Sequence, residues 1–374
     1  MTIENEKRGK LTAIYKLVVV SEKRILLDYE TAPKPPYMQL IKGESGDEIF
    51  TFLNHHKNGI NFYDYETGNF IKRVEYVREG PDAIYNPGGY FIKRMDSIYV
   101  FNRGEFGLVL TDNSGHVNQR IPLADMSART WSMYYPQYQF YTINSIFEHQ
   151  GELFLTGMSP FGIVDSLIHK FHFTACVDLN VGSVNFIHTY PEELYGSNTN
   201  WIAGHWLMQP YPAISPTGEF IYSFPMSHDV HITHRDKNTY KTIYAGSNIA
   251  GAIRSIDWNG IPPEEVILTH TLTQDLYAGI LHDPYRKVYY RFMLKGNPDA
   301  TIETAIEEKP IVVIVMDEQF NYMGETIIGT GEKWIWKNSF VSSEGLVMEY
   351  FDLNMDYEEQ YMILKTFSVE KINK

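Results

Sequence analysis

Residues 59–74 read Gly-Ile-Asn-Phe-Tyr-Asp-Tyr-Glu-Thr-Gly-Asn-Phe-Ile-Lys-Arg-Val, and this stretch decides the fold. Both arms are rich in aromatic and β-branched residues, and the Glu-Thr-Gly-Asn between them is typical of a tight turn. Asp64 closes the first arm, where its carboxylate can accept hydrogen bonds from the amides of the turn. The stretch therefore predicts a β-hairpin with an Asp-capped turn.

The same hairpin plan recurs along the chain. Each copy has an apolar strand, an Asp at its end, a polar turn and a second strand. The further copies lie at residues 108–121, 175–187, 232–244 and 313–327, with Asp112, Asp178, Asp236 and Asp317 at the turns. Repetition of one structural unit indicates a repeat architecture.

A second recurring feature precedes the hairpins, namely two strands separated by a polar turn. Such pairs begin near residues 39, 90, 144, 213, 279 and 340. A strand pair followed by a hairpin makes a four-stranded unit, which is the blade of a β-propeller. We therefore predict an all-β fold, a six-bladed β-propeller of four-stranded blades over residues 11–374, preceded by a polar tail at residues 1–10.

The sixth unit lacks its Asp hairpin, because the strand-like segment Tyr361–Val369 is the last in the sequence. A blade that is one strand short would expose an unpaired edge. Thr12–Val20 and Ile25–Tyr29 are both strand-like. We predict that one of these N-terminal segments joins the C-terminal blade and closes the ring, so that loss of about the first 30 residues would destabilise the whole domain.

Helical periodicity is almost absent from the sequence. The best candidate is Asn297–Lys309, where Asn297 could cap a helix, Pro298 suits its first position, and Ile302 and Ile306 would share a face. We predict a short helix there, inserted between two strands.

Charge and composition argue against several classes of protein. The net charge of −14 would repel a nucleic-acid backbone. The apolar runs fall far short of the ~20 residues that a membrane helix needs, and residues 1–10 lack the apolar core of a signal peptide. The single cysteine, Cys176, excludes an intrachain disulfide, and its strand-like surroundings favour a buried, inert thiol. We expect a monomer without a cofactor.

Tryptophans concentrate in the segments that connect the units. Propeller connectors cross from the outer edge of one blade to the axis, so we expect these residues to rim one mouth of the channel. They could pack between blades, or they could form a stacking surface for a carbohydrate or a peptide. The candidate ligand-binding residues from these connectors are Trp201, His205, Trp206, Trp334 and Trp336.

The segment Asp283–Arg291 carries two further candidates for ligand binding. If it is a strand, alternation places Arg286 on one face and Arg291 on the other. A buried arginine between blades could pair with a carboxylate. Alternatively, Arg286 or Arg291 faces the channel and binds an anionic or sugar ligand.

Two motifs resemble metal sites. His228, His231 and His234 are spaced by three residues, but on a strand only His228 and His234 would point the same way, so we treat these two as weak metal candidates. Residues 352–358 begin like a calcium loop, with Asp-x-Asn-x-Asp, but they lack its glycine, which favours an acidic turn.

Several motifs together resemble an uncharacterised family of six-bladed propeller proteins found chiefly in Bacteroides-type gut bacteria. The motifs are Asp64-Tyr-Glu-Thr-Gly68, Glu79-Gly-Pro81, Asp96-Ser-Ile-Tyr99, Ser223-Phe-Pro225 and Asp283-Pro-Tyr-Arg-Lys-Val-Tyr-Tyr-Arg291. The resemblance covers nearly the whole chain after about Gln39, and Asp283–Arg291 is its most specific part. It implies an exported, lipid-anchored protein of the periplasm or outer membrane, although this sequence shows no leader and no anchoring cysteine near its start.

The expected function is therefore a non-catalytic binding protein of the bacterial cell envelope. Its unknown small molecule, glycan or protein partner would bind at the aromatic-rimmed mouth. The alternative is a propeller enzyme of the lactonase, lyase or hydrolase kind, with a metal or an acid–base pair in the central channel. Fold analogy alone supports the binding function, since propellers host both enzymes and binders.

Overall fold

The computed structural model describes residues 1–43, 45–161, 165–196, 201, 206–258, 260–352 and 360–373, with residues 165, 166 and 206 described by their backbone. The strands in chain order are β1 (Thr2–Ile3), β2 (Tyr15–Leu26), β3 (Met38–Lys42), β4 (Glu48–Asn54), β5 (Gly59–Asp64), β6 (Phe70–Glu75), β7 (Pro87–Arg94), β8 (Ser97–Asn102), β9 (Gly107–Thr111), β10 (Val117–Pro122), β11 (Phe147–His149), β12 (Glu152–Thr156), β13 (His172–Asp178), β14 (Val184–Thr189), β15 (Tyr211–Ile214), β16 (Phe220–Ser223), β17 (Asp229–Thr233), β18 (Lys241–Tyr244), β19 (Ile253–Arg254), β20 (Leu276–Asp283), β21 (Val288–Leu294), β22 (Pro310–Asp317), β23 (Tyr322–Thr330), β24 (Trp334–Val341), β25 (Leu346–Tyr350) and β26 (Tyr361–Lys371). The α-helices are α1 (Asp165–Ile168), α2 (Glu192–Tyr195) and α3 (Glu264–Thr273), and single turns of 3-10 helix lie at Trp131–Met133, Trp206–Met208 and Ile306–Glu308.

Within the described residues, the strands form six four-stranded antiparallel sheets and one short ladder between β1 and β19. Sheets one to five each use four consecutive long strands, from β3-β4-β5-β6 to β20-β21-β22-β23. The sixth sheet has the order β2-β26-β25-β24, so its outer strand comes from the other end of the chain. The predicted six-bladed propeller is confirmed.

Strand β2, close to the N-terminus, pairs along its full length with the C-terminal strand β26. The ladder between β2 and β26 runs from Tyr15 opposite Lys371 to Leu26 opposite Tyr361. Strand β2 also lies against the outer strand of blade five, since the Leu17 amide donates to Thr326 Oγ1 at 2.8 Å. Strand β2 therefore completes the sixth blade beside the C-terminal strand and also contacts the fifth blade.

The Asp-capped turns explain why the hairpins recur. In four of them one carboxylate oxygen accepts backbone amides of the turn: Asp64, Asp112, Asp178 and Asp317. The hairpin between β17 and β18 differs, because Asp236 accepts from Arg235 at 2.8 Å instead. There the Thr233 hydroxyl bonds the turn carbonyls of Lys237 and Thr239.

The axis of the ring is crossed by the connector between β10 and β11. Thr142 Oγ1 accepts the Met38 amide at 3.0 Å and bonds Asn338 Oδ1 at 3.2 Å, which joins blades one and six. Ile143 packs so closely on Gly279 of blade five that a Cβ there would overlap its side chain. The connector therefore fills the axis at this level with packed side chains.

The predicted helix at Asn297–Lys309 is wrong, because only Ile306–Glu308 forms a turn of 3-10 helix. The longest described helix is α3, which the sequence analysis missed. It follows Pro263, and of its apolar residues only Ile267 and Leu272 are buried, so it lacks an apolar stripe at helical spacing. Among the described residues no helix is both long and apolar enough to cross a membrane.

Candidate functional site

The two ends of the propeller differ in their loops. Strands alternate in direction within each blade, so the tight turns that join strands one to two and three to four lie at one end. The connections from strand two to strand three and from one blade to the next lie at the other end, which we call the connector face. It comprises the described residues between β2 and β3, β4 and β5, β6 and β7, β8 and β9, β10 and β11, β12 and β13, β14 and β15, β16 and β17, β18 and β20, β21 and β22, β23 and β24, and β25 and β26.

The connector face exposes many large apolar side chains. They are Tyr29, Val77, Tyr85, Met126, Tyr134, Phe161, Leu167, Trp258, Ile261 and Ile302. The turns at the opposite end expose Val181 and Tyr285. Because loops that connect rigid strands commonly carry function, this distribution favours a site on the connector face.

A cavity of about 120 Å³ opens on this face between blades five and six. Its lining residues are Leu294, Ile306, Glu307, Lys309, Gly331, Trp334, Ile335, Trp336 and Lys337. We call it the tryptophan pocket. It is close in size to an engineered protein cavity of about 150 Å³ that binds benzene, so it would accept one ring-sized group.

A break in the inner strand of blade six shapes this pocket. Ile335 pairs with Glu349 and Ser339 pairs with Met348, so the three residues 336–338 have no counterpart on β25. Extra residues of this kind bend a strand and re-aim side chains, and they are frequent beside binding sites. Here the break presents Trp336 and Lys337 to the pocket.

Trp336 is supported by aromatic neighbours from two blades. Its ring centre lies 6.3 Å from that of Tyr211 and 6.5 Å from that of Phe292, and 8% of the residue is exposed. The Lys337 ammonium lies 4.6 Å above the ring of Tyr141, on the connector that crosses the axis. The pocket therefore reaches the central part of the connector face.

Trp334 is fixed by contacts within blade six. Its ring centre lies 4.8 Å from Tyr350 in an edge-on arrangement and 5.4 Å from Phe367. A Cβ at Gly329 would come within 2.7 Å of the indole, so only glycine leaves room for the ring. Trp334 and Trp336, which the sequence analysis selected, thus come together in one cavity.

Lys309 joins the pocket to helix α3. Its Nζ donates to the carbonyl oxygens of Thr271 and Gln274, at 2.6 Å each, where a cation complements the helix C-terminus. Burial lowers the pKa of the Lys309 ammonium to about 7, and the nearby Asp275 carboxylate opposes that shift. Asp275 itself accepts Lys295 Nζ at 2.8 Å.

Sequence reasoning missed Lys309, Lys337 and the exposed Glu307. Lys337 directly follows the Trp-Ile-Trp run, and this adjacency was the available signal. Lys309 had no local signal, because the carbonyls it binds are more than thirty residues away along the chain.

The other predicted tryptophans lie elsewhere on the connector face. Trp201 is buried, and its Nε1–H donates to the Leu194 carbonyl at 2.8 Å, which fits the packing alternative. Trp206 begins a 3-10 turn and is described by its backbone alone. The prediction for His205 lies outside the described residues.

Arg286 lies at the end of the propeller opposite the connector face. It belongs to the turn between β20 and β21, where it bonds Asp283 Oδ2 at 3.1 Å and the Ser343 carbonyl at 3.0 Å. The expected continuous strand through Arg286 is wrong, because β21 begins at Val288 and Asp283 caps the turn before it.

Arg291 is fully buried between blades four and five. Its Nε bonds one hydroxyl and its two terminal nitrogens bond four backbone carbonyls, so five N–H groups are used. The acceptors are Ser223 Oγ at 2.9 Å, His228 O at 2.8 Å, Ala245 O at 3.1 Å, Ser227 O at 2.8 Å and Asp229 O at 3.2 Å. Burial lowers the pKa of the guanidinium to about 10. This geometry contradicts a channel-facing, ligand-binding role for Arg291, and backbone carbonyls replace the expected carboxylate.

The weak metal candidates do not converge. His228 is buried and its Nδ1 lies 2.9 Å from the Tyr277 hydroxyl, whereas the side chain of His234 is 58% exposed, 3.9 Å from Glu219. Among the described residues no group of three His, Cys, Asp or Glu is placed to hold a metal. Of the calcium-like segment, Asp352 accepts Lys333 Nζ at 2.6 Å, and residues 353–359 lie outside the described residues.

Cys176 is buried within blade three. Burial, helped by the neighbouring Glu152, raises the pKa of its thiol to about 12. A thiol with such a pKa is a poor nucleophile at neutral pH.

Comparisons with known proteins agree with this fold. The solved structure of a DUF4221 family member from Bacteroides vulgatus is similar with a TM-score of 0.77 at 19% identity, covering 96% of this chain and 99% of that one. A protein from Bacteroides fragilis aligns with a TM-score of 0.56 at 9% identity, covering 96% of both chains. Virginiamycin B lyase from Staphylococcus aureus aligns with a TM-score of 0.47 at 10% identity, covering 92% and 99%. The similarities to the two Bacteroides proteins establish the fold alone.

No curated protein matches the sequence. A family model described as "Domain of unknown function (DUF4221)" matches residues 15–327, which is most of the chain. The resemblance to Bacteroides-type propellers is thereby confirmed, and the chain belongs to the DUF4221 family.

Proposed function

We propose that this protein is a binding propeller whose partner docks on the connector face and inserts one ring-sized group into the tryptophan pocket. The observation that carries the proposal is the strand break at residues 336–338, which presents Trp336 and Lys337 to a cavity on that face. A regular strand would alternate its side chains between the two faces of the sheet. Because the break interrupts this alternation, the consecutive residues Trp336 and Lys337 both line the pocket.

The pocket chemistry selects the kind of group it binds. Indole rings stack on the flat faces of sugars and aromatic side chains. Glu307 and Lys337 add charged groups to the lining, and Lys309 bonds the end of helix α3. The cavity is smaller than the roughly 300–1,000 Å³ of whole small-molecule sites. It therefore holds the end of a larger partner, either a terminal sugar ring of a glycan or an aromatic side chain of a peptide.

A location in the bacterial cell envelope is part of the proposal. Its support is the resemblance to exported, lipid-anchored propellers. An exposed apolar connector face on an anchored propeller would be available to partners at the cell surface.

The test is calorimetric titration with short oligosaccharides and with peptides that end in Trp, Tyr or Phe. Trp336→Ala should weaken a saturable ligand at least about tenfold, and Lys337→Gln should weaken an anionic ligand selectively. Trp258→Ala is the matched control, since Trp258 is an exposed tryptophan of the same face outside the pocket. Trp336→Phe, which keeps an aromatic ring, separates lost binding from lost folding. Binding that is unchanged in Trp336→Ala, or no saturable binding by either class, would refute the proposal.

A further inference from the structure

A second cavity lies beneath the first residues of the chain. Residues 1–14, here called the N-terminal strap, cross the outer side of blades four and five. The cavity below the strap measures about 340 Å³ and opens to solvent. It is lined by Lys7, Lys10, Leu11, Thr12, Ile243, Tyr244, Ala245, Gly246, Met316, Gln319, Phe320, Asn321 and Tyr322.

Hydrogen bonds to the connector after β18 fix the strap in place. Asn5 Nδ2 donates to the carbonyls of Ser247 at 2.8 Å and Ala250 at 2.9 Å. The amides of Gly9 and Leu11 bond the carbonyl and the side-chain oxygen of Asn248, at 2.9 Å each. Lys7 and Lys10 lie within this tied segment, so the strap holds them over the cavity.

The charged residues lining this cavity are both lysines. In the described part of the chain neither Lys7 nor Lys10 forms an ion pair, whereas Lys57, Lys295 and Lys333 each pair with a carboxylate. Lys7 Nζ instead lies 4.5 Å from the ring centre of Tyr244. Two cations at one cavity are notable in a protein whose net charge is −14.

The groups behind the cavity wall add to this positive potential. Arg291 Nη1 donates to the Ala245 carbonyl at 3.1 Å, which places a buried guanidinium behind the lining. The nearby carboxyls include Asp229, which attracts both Arg291 and Lys7, and Glu325, which accepts the Asn248 amide at 3.1 Å. Asp317 also lies close, since its carboxylate accepts the amides of Gln319 and Asn321 in the cavity lining. None of these carboxyls lines the cavity, and burial raises the pKa of Asp229 and of Glu325.

We infer that the strap cavity binds a small organic anion, with the Lys7 and Lys10 ammonium groups on its carboxylate or phosphate and the aromatic wall against its carbon skeleton. The volume lies at the lower end of the range for small-molecule sites, about 300–1,000 Å³. The site is independent of the tryptophan pocket, because the two cavities share no lining residue.

The inference is tested by titrating the full chain with citrate and with pyrophosphate at constant ionic strength, and with glucose as the uncharged probe. We expect saturable binding of at least one anion, which also distinguishes a carboxylate site from a phosphate site, and none of glucose. The double variant Lys7→Gln with Lys10→Gln should bind at least about tenfold more weakly. The double variant Lys237→Gln with Lys241→Gln, at exposed lysines of blade four outside the cavity, is the matched control and should bind like the wild type.

Two further results decide the inference. Trp336→Ala should leave anion binding unchanged, so failure of the tryptophan pocket would not be mistaken for failure of this site. Saturation by neither anion, or equal affinity in the Lys7/Lys10 variant and the wild type, would overturn the inference.

Discussion

Replacing Arg291 with methionine tests whether this arginine holds blades four and five together. Arg291 is fully buried, and its five N–H groups bond four backbone carbonyls and one hydroxyl of blade four and the connector that follows it. Its guanidinium carbon also lies 4.0 Å from the ring centre of Tyr277. Methionine fills a similar volume but supplies no donor to these acceptors.

The expected loss follows from these contacts. Hydrogen bonds from a charged donor contribute roughly 1.5–3 kcal/mol each, but removing the guanidinium also recovers its desolvation cost. Each buried acceptor left without a donor costs about 1–3 kcal/mol, and against the recovered desolvation we take a net cost of about 3–5 kcal/mol. For 374 residues at roughly 2.1 cal/mol/K per residue, each kcal/mol lowers the Tm by about 1.3 °C. Arg291→Met should therefore lower the Tm by about 4–6 °C.

The assay is thermal unfolding followed by circular dichroism at neutral pH, with Arg291→Lys as the control. Lysine keeps the charge but has three N–H groups instead of five, so its loss should be about half as large. Ligand binding at the tryptophan pocket should be unchanged in the folded fraction of either variant. A Tm within about 1 °C of the wild type for Arg291→Met would refute the structural role.

Three other changes test the ring closure and the buried titratable groups. Gly324→Ala would place a Cβ against the Tyr15 carbonyl, so it should lower the free energy of unfolding by about 1–3 kcal/mol and speed proteolytic cleavage of β2. Gly104→Ala, where a Cβ has ordinary space, is the control and should do neither. Burial raises the pKa of the Glu349 carboxyl from 4.5 to about 7, so the folded state loses roughly 3 kcal/mol of stability as the pH rises from 4.5 to 7. Glu349→Gln should remove this dependence of the Tm on pH, measured between pH 5 and pH 8. Burial, with Arg291 nearby, lowers the pKa of His231 from 6.5 to about 3. The contribution of the neutral His231 to folding stability is therefore complete above pH 6.5 and is lost as the pH falls towards 3. His231→Phe should flatten the acid side of the plot of Tm against pH, and an unchanged slope would contradict the assignment.

Local patterns predicted the blades because each blade is built from local signals. The turn at Asp64 depends on amides within three residues of it, and the alternation of β5 depends on its own side chains. The helix predictions failed for the same reason. Asn297–Lys309 has a capping residue, a suitable proline and an apolar pair, but Ile302 of that pair is 54% exposed in the structure. Helix α3 is held partly by Lys309, an interaction that no local window contains.

The candidate site could be predicted in part, because composition marked the aromatic connectors but not their geometry. Trp334 and Trp336 were selected for their position between units, and they do meet in one pocket. The strand break that aims Trp336 is a register shift against β25, which depends on pairing with another strand. Arg291 was selected for its charge, yet its acceptors lie more than forty residues earlier in the chain.

Arg291 and the break at residues 336–338 both depart from the regular blade plan. Arg291 is buried, whereas the break borders an open cavity, and this difference assigns a structural role to the first and a binding role to the second. A departure that is buried and fully bonded, such as Arg291, stabilises the contact between blades and leaves no donor for a ligand. The break in β24 lies on the connector face, and the side chains it re-aims border an open cavity. The tight hairpin turns leave little room for such variation, since their carboxylates and amides are already paired. Binding specificity in this fold should therefore vary through the connectors and the ends of inner strands, while the Asp-capped turns stay constant.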